Sequence, residues 1–477
     1  MIKIARIAVT LGLLSSLGAQ AYAAGLVVND NDLRNDLAWL SDRGVIHLSL
    51  STWPLSQEEI ARALKKAKPS YSSEQVVLAR INQRLSALKA DFRVTGYTST
   101  DQPGTPQGFG QTQPADNSLG LAFNNSGEWW DIHLQGNVEG GERISNGSRF
   151  NANGAYGAVK FWNQWLSFGQ VPQWWGPGYE GSLIRGDAAR PMTGFLMQRA
   201  EQAAPETWWL RWIGPWQYQI SASQMNQYTA VPHTKIIGGR LTFSPFQSLE
   251  LGASRIMQWG GEGRPQSFSS FWDGFTGQDN TGTDNEPGNQ LAGFDFKFKL
   301  EPTLGWPISV YGQMVGEDEA GYLPSANMYL AGVEGHHAWG KNAVNWYVET
   351  HDTRDDRSRT DYIYTHHIYK DGYYQQGYPL GDAMGGDGQL VAGKVELVTE
   401  DNQRWSTRLV YAKVNPENQL INKAFPHSDT LKGVQLGWSG DVYKSVRLNT
   451  NLWYTNADNS DSDDIGASAG IEIPFSL

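Results

Sequence analysis

The sequence predicts a mainly β protein, an antiparallel transmembrane β-barrel of about eighteen strands with an N-terminal α-helical bundle on the periplasmic side. Three observations carry that expectation. At the C-terminus, Ala467, Ala469, Ile471, Ile473, Phe475 and Leu477 are apolar, while Gly466, Ser468, Gly470, Glu472 and Ser476 between them are small or polar. A strand with lipid on one face and a polar lumen on the other needs this period of two, and a chain ending on it can close a barrel against its first strand. The composition is rich in Gly (53), Trp (20), Tyr (20) and Phe (17), lacks cysteine, and shows no long apolar run after the first residues. That excludes transmembrane helices but not strands, and it leaves no disulfide framework. Finally, the connections between candidate strands alternate between short and long.

Taken in order, residues 1–24 read as a secretory signal peptide. Lys3 and Arg6 precede the apolar run from Ile7 to Leu14, and Ala21-Tyr22-Ala23 supplies a small-x-small cleavage site. The function is therefore expected outside the cytoplasm. Residues 25–91 read as helices forming a periplasmic domain, a plug or cap at the barrel mouth. Leu33, Leu37 and Leu40 recur at helical spacing, and Gly44 sits where a left-handed stop belongs. Ser56 with Glu59, and Ser72 with Gln75, are spaced as capping boxes.

From Phe92, residues 92–477 read as the barrel. Strands are expected near 92–98, 118–124, 129–138, 154–163, 165–171, 206–213, 216–225, 235–243, 248–257, 289–300, 307–315, 326–338, 343–352, 388–399, 404–413, 431–440, 445–455 and 465–477. Around residue 295 the alternation is plain: Phe294, Phe296, Phe298 and Leu300 share one face, and Asp295, Lys297 and Lys299 the other. Pro474 lacks a ladder N–H, so the last residues should pair imperfectly. With both barrel ends periplasmic, short turns fall at 124–128, 164, 214–215, 244–247, 301–306, 339–342, 400–403 and 440–444. Long connections fall at 99–117, 139–153, 172–205, 226–234, 258–288, 316–325, 353–387, 414–430 and 456–464. A sandwich or propeller has no reason to sort its loops so. Trp129, Trp130, Trp165, Trp208, Trp209, Trp339 and Trp346 suit interfacial girdles.

The net charge of −11 argues against a nucleic-acid binder, which needs a basic face. The chemistry is expected in the three longest loops, which combine aromatic rings with carboxylates, amides and guanidinia. Rings stack on apolar sugar faces, polar groups fix hydroxyls, and arginine pairs a sugar carboxylate in two places. The same rings could instead fold the loops back over the barrel as a lid. His366-His367 with Asp361 suggests metal ligands or a base only weakly, because neighbours on a strand point to opposite faces. HExxH, CxxC and P-loop motifs are missing from the sequence. Asp458, Asp461, Asp463 and Asp464 read either as a calcium loop or as a solvated acidic one.

Asp36-Leu37-Ala38-Trp39-Leu40-Ser41-Asp42-Arg43-Gly44, Thr52-Trp53-Pro54-Leu55-Ser56 and Gln173-Trp174-Trp175-Gly176-Pro177-Gly178, set in a Trp- and Gly-rich barrel, resemble the Wzi family of capsule-assembly outer-membrane lectins. The resemblance covers the whole mature chain. It implies an eighteen-stranded barrel, a helical bundle on the periplasmic side, a lumen closed to transport, and binding of exported, often acidic, capsular polysaccharide at the cell surface. Binding without turnover is thus expected, in the bacterial outer membrane, with no enzyme activity, cofactor or metal. The candidate stacking rings are Trp174, Trp175, Tyr179, Trp272, Tyr362, Tyr364, Tyr373 and Tyr374. Arg185, Arg190, Arg354, Arg357 and Arg359 are the candidates for pairing uronate carboxylates, and Asp187 and Asp273 complete the set. The expected partners are capsular polysaccharide, outer-membrane lipids and, functionally, a capsule export machinery; a monomer is expected. The acidic total opposes an acidic ligand, and only local arginine clustering can offset it. A sugar-conducting porin is the second reading, an outer-membrane hydrolase the third.

Overall fold

The computed structural model describes residues 25–142, 149–275, 286–320, 323–443, 445–459 and 463–477. The expected signal peptide lies outside them, as does Asp461 of the acidic loop. Eighteen long strands close into one antiparallel barrel: Phe92–Ser99, Ala115–Ser126, Trp130–Glu142, Tyr156–Phe161, Gln164–Gly169, Thr193–Arg199, Trp216–Gln224, Lys235–Phe246, Leu249–Trp259, Gly288–Lys299, Ile308–Ala320, Leu323–Trp339, Asn342–Asp352, Gln389–Val398, Arg404–Val414, Asp429–Tyr443, Val446–Ala457 and Asp464–Phe475. A two-residue segment, Phe150–Asn151, pairs beside the third. The last strand meets the first from Ser468 opposite Ser99 to Phe475 opposite Phe92, and Pro474 faces Arg93 in that ladder. Closure leaves the sheet without a free edge, as lipid demands.

The alternation decides which side chains see lipid. Phe294 and Phe296 are exposed on the outer wall, while Asp295, Lys297 and Lys299 are buried in the lumen. Trp129, Trp130, Trp208, Trp209 and Trp339 lie exposed near strand ends; Trp165 corrects the girdle expectation, because its inward phase buries it completely.

Three further expectations are corrected. Residues 206–213 form no strand: a turn leads into a 3-10 helix, Arg211–Ile213, and the strand in that place is Thr193–Arg199. The reason is periodic. Trp208, Trp209, Leu210, Trp212 and Ile213 are almost contiguous, whereas Leu196 and Gln198 turn into the lumen and Phe195 turns out. The connection expected at 316–325 is mostly strand, paired out to Ala320 opposite Leu323. The helix starting at Ser72 is not capped by Ser72 with Gln75; Glu74 accepts from the N–H of Ser70 and of Tyr71, at 2.7 and 3.1 Å.

The lumen holds a second core. Helices α1 (Asn31–Asp42), α2 (Gln57–Lys65) and α3 (Ser72–Leu88) precede the barrel. Asp30 caps α1 by accepting from the Leu33 N–H at 2.9 Å, and Gly44 ends the turn at φ +71°. Ser56 caps α2, but Glu59 turns away from the cap to Arg62. Leu33, Leu37, Trp39 and Leu40 pack with Val77 and Ile81, and Trp39 donates to the His337 carbonyl at 3.0 Å. Ion pairs then join helices to wall. Asp36 meets Arg80 at 2.8 Å and Arg404 at 2.5 Å, Asp32 meets Arg447 at 2.5 Å, and Arg84 meets Asp30 at 2.7 Å and Glu472 at 2.8 Å.

Candidate functional site

The QWWGPGY segment enters the lumen instead of forming an exposed loop. Trp174 lies opposite Trp53 and Trp175 opposite Thr52 in a short antiparallel ladder. Gly176 follows at φ +149°, a conformation that side chains rarely adopt, with Gln313 against the position a Cβ would take. Arg34 of α1 donates from Nη2 to the carbonyls of Pro177 and Gly178 at 2.9 and 2.8 Å, and its guanidinium covers the rings of Phe109 and Tyr179.

Strand Asn342–Asp352 receives the next residues. Glu349, on its inward phase, accepts from the N–H groups of Tyr179, Glu180 and Gly181 at 2.7, 2.9 and 3.2 Å, and from the Tyr311 hydroxyl at 2.6 Å. His351 stands between two carboxylates, Nε2 at 2.6 Å from Glu349 and Nδ1 at 2.6 Å from Asp382. Glu180 pairs with Arg408 at 2.5 Å. Each carboxylate in this buried group has a cation or hydrogen-bond donors against it, as burial requires.

Most of the expected stacking rings are consumed here. Trp174 and Trp175 are 1% and 0% exposed, and Tyr179, Tyr364, Tyr373 and Tyr374 are buried with them. Trp175 donates to Gln219 at 2.7 Å, Tyr364 to the Leu183 carbonyl at 2.5 Å, and Tyr373 to the Ile184 carbonyl at 2.8 Å. Arg185 is buried too, Arg190 pairs with Glu139 at 2.6 Å, and Asp187 accepts from Asn29 and from the Gly110 N–H at 2.8 Å each. Burial pushes the Asp187 carboxyl up to about 6. The sequence places these side chains on exposed loops; the structure buries or half-buries them. A long connection carrying that many rings gains more by burying them in the lumen than by holding them in water.

The other six candidates remain exposed or half-buried. Arg354, 54% exposed, is bidentate to Asp352 at 2.9 and 2.6 Å. Arg357 is exposed, and the half-buried Tyr362 lies beneath Arg359, whose guanidinium carbon stands 3.3 Å from the ring centre. Trp272 and Asp273 sit on another arc of the barrel, in helix α4 (Phe268–Phe275), beside strands Leu249–Trp259 and Gly288–Lys299. The structure sets Arg359 over Tyr362 in the connection that also carries Arg354 and Arg357, and sets Trp272 and Asp273 in a helix beside strands Leu249–Trp259 and Gly288–Lys299.

His366 and His367 lie in a turn and not on a strand, so their rings come within 4.6 Å and both Nε2 atoms face Glu286, at 3.4 and 3.8 Å. His366 Nδ1 accepts from the N–H groups of Ile368 and Tyr369. That fixes its proton on Nε2, toward Glu286, and leaves no lone pair there for a metal. Asp42, Glu334 and His336 also converge, but the Lys297 ammonium already pairs with both carboxylates. Of the acidic loop, Asp458 pairs with Lys432, and Asp463 accepts from Tyr454 and Asn456.

A family model described as capsule assembly protein Wzi matches residues 89–468. The chain belongs to the Wzi capsule-assembly family. It is 93% identical over 477 residues, 100% of the chain and 95% of the relative, to a Klebsiella pneumoniae protein described as an uncharacterized 55.8 kDa protein in the cps region. It is 89% identical to a solved structure of Escherichia coli Wzi, with a TM-score of 0.91 over 95% of this chain and 100% of that one. That protein is described as an outer-membrane protein involved in group 1 capsule assembly and a carbohydrate-binding β-barrel.

In this chain the residues that sequence reasoning missed are the lumen partners Arg34, Glu180, Glu349, His351 and Arg408. Their signal was present: Glu349 and His351 are charged or titratable positions on the inward phase of one strand. Their partners, 143 to 228 residues away where Arg34 meets Pro177 and Arg408 meets Glu180, carry no such signal. The N-terminal segment and the inner wall also line an open polar cavity of about 620 Å³, bordered by Asp30, Arg93, His133, Arg408, Asn451 and Glu472 among others.

Proposed function

We propose that this Wzi-family chain captures exported capsular polysaccharide at the cell surface and holds it without turnover. In this reading its long connections open at the cell surface, and its helical bundle, residues 25–91, plugs the barrel of residues 92–477 from the periplasmic side. The observation that carries the reading is what the long connections do. They spend Trp174, Trp175, Tyr364, Tyr373 and Tyr374 on a core inside the barrel and leave Arg354, Arg357, Arg359 and Tyr362 at the rim. A conducting porin needs an open aqueous lumen, whereas here helices and connections pack into it. A hydrolase needs a free base, and both ring nitrogens of the buried His351 are already committed to carboxylates.

The chemistry suits an acidic sugar. Arg354 is held by Asp352 in the geometry that would grip a uronate, and a surface ion pair of this kind costs little to exchange. The Arg359 plane stacked on Tyr362 adds a flat amphipathic face. Arg354 and Arg359 hold Asp352 and Asp355 as internal partners, which a uronate would replace. Outer-membrane lipid covers the apolar wall, the export machinery delivers the polymer, and the protein works as a monomer. The experiment is retention of capsular polysaccharide from the native strain by detergent-solubilised protein, wild type against Arg354→Glu with Arg357→Glu. Retention by the wild type and its loss in a folded variant support the site; no retention by the wild type ends the lectin reading.

A further inference from the structure

Helix α4 lies outside the barrel. On strand Leu249–Trp259, Glu250, Ser254 and Gln258 point into the lumen, so Arg255, Met257 and Trp259 point outward; Gln290 takes the outward phase of the neighbouring strand. Yet Met257 is only 2% exposed, and something on the outer wall must cover it. The helix that packs against this strand is α4. Arg255 donates to Gln290 at 2.9 Å and, more weakly, to the Gly274 carbonyl of α4 at 3.4 Å; its guanidinium carbon lies 5.6 Å from the Phe275 ring centre. Phe271 meets Trp259 edge to face.

At 100° per residue the helix has three edges. Ser270 and Gly274 form the buried edge, small enough to let the helix lie close to the wall. Ser269 and Asp273 form a polar edge. Phe268, Phe271, Trp272 and Phe275 fall within one 100° arc, and Phe268, Trp272 and Phe275 remain 78%, 52% and 45% exposed. The row continues the barrel's own apolar wall, where Phe294 and Phe296 stand exposed on the adjoining strand. A row of rings left bare in this way, beside a lipid-facing wall and with a polar edge behind it, is the pattern of a helix lying in a membrane interface.

The geometry points to α4 as an in-plane membrane anchor. It lays Phe268, Trp272 and Phe275 into the boundary between head groups and acyl chains of the surrounding lipid, turns Ser269 and Asp273 to water, and shields the Arg255–Gln290 pair from hydrocarbon. Trp272 and Asp273 thus leave the list of saccharide contacts.

The chain has no cysteine, so one introduced thiol takes one label. Trp272→Cys, Phe268→Cys, Ser269→Cys and Asp273→Cys, each carrying an environment-sensitive fluorophore, are reconstituted in phosphatidylcholine vesicles. The anchor requires blue-shifted emission from labels at 268 and 272, loss of that emission to doxyl groups on the lipid acyl chains, and protection from aqueous iodide. Labels at 269 and 273 should show the reverse. If Trp272→Cys fails to fold, Phe268→Cys carries the test. Iodide quenching at 268 and 272 equal to that at 273, or a shift there produced by polysaccharide and not by lipid, overturns the anchor and returns the rings to a sugar-binding role.

Discussion

Trp174 stands directly opposite Trp53 in a two-rung antiparallel ladder inside the lumen, and Phe109 meets both rings, at 5.3 Å from the first and 5.1 Å from the second. The connection between the fifth and sixth barrel strands is thereby locked to the segment between α1 and α2. The tryptophan pair that looks most like a ligand platform in the sequence holds the plug to the barrel.

Trp174→Ala should act on stability before it acts on binding. Removing a fully buried indole typically costs about 3–5 kcal/mol. Limited proteolysis of the detergent-solubilised protein should cut residues 25–91 faster in the variant, while the fraction that remains intact should still retain polysaccharide. Unchanged cutting with lost retention would contradict the structural role.

Asp36→Ala should strand the buried Arg80, which it pairs at 2.8 Å, and take from Arg404 its 2.5 Å partner, leaving that arginine Glu396 at 3.3 Å. Leaving a buried charge uncompensated costs about 3–5 kcal/mol. The helices should loosen from the wall, so steps of ion conductance should appear in planar bilayers with the variant and be rare with the wild type. Equal conductance from the two proteins would show that this ion network does not hold the plug.

Asp387 supplies a pH dependence. Burial pushes its carboxyl up, with the nearby Asp361 adding to it, to about 7. An unfolded aspartate titrates near ~3.9, so between these values the folded connection binds more protons than the unfolded one. Local stability is therefore greatest below the unfolded value, falls as pH rises through the window, and is flat above about 7. Protease nicking of residues 353–387 should be faster at pH 8 than at pH 5.5, and Asp387→Asn should remove most of that difference. A wild type nicked equally at the two pH values would place the carboxyl in its ordinary range.

Arg357→Glu should weaken polysaccharide retention without touching stability, because the side chain is exposed. A charge-assisted hydrogen bond is worth roughly 1.5–3 kcal/mol, and about 1.4 kcal/mol is tenfold in affinity. Retention should fall about tenfold or more, with a midpoint of thermal unfolding close to that of the wild type.

The barrel was legible because its rule is local. Phe294, Asp295, Phe296 and Lys297 declare their faces by alternation alone, and Gly44 declares the end of α1. Where alternation is replaced by a contiguous run, as at Trp208, Trp209 and Leu210, the sequence suggests a strand that does not form, and the strand Thr193–Arg199 lies in what reads as a loop. The site was less legible for a different reason. Exposure of Trp174 or Tyr364 depends on whether a connection turns into the lumen or away from it, and that is decided by partners such as Glu349 and Arg34, which are remote in sequence. Composition attracts attention to aromatic loops but does not say which side of the barrel mouth they occupy.

The most direct test of capture at the rim is hydrogen–deuterium exchange of the intact protein in detergent, with and without the native polysaccharide. Slowing confined to peptides covering 353–362, with residues 25–91 and the strands lining the polar cavity unchanged, is the predicted result. Slowing in the lumen peptides around Arg93, His133 and Asn451, with none at Arg354 to Tyr362, would contradict it and move the saccharide inside the barrel.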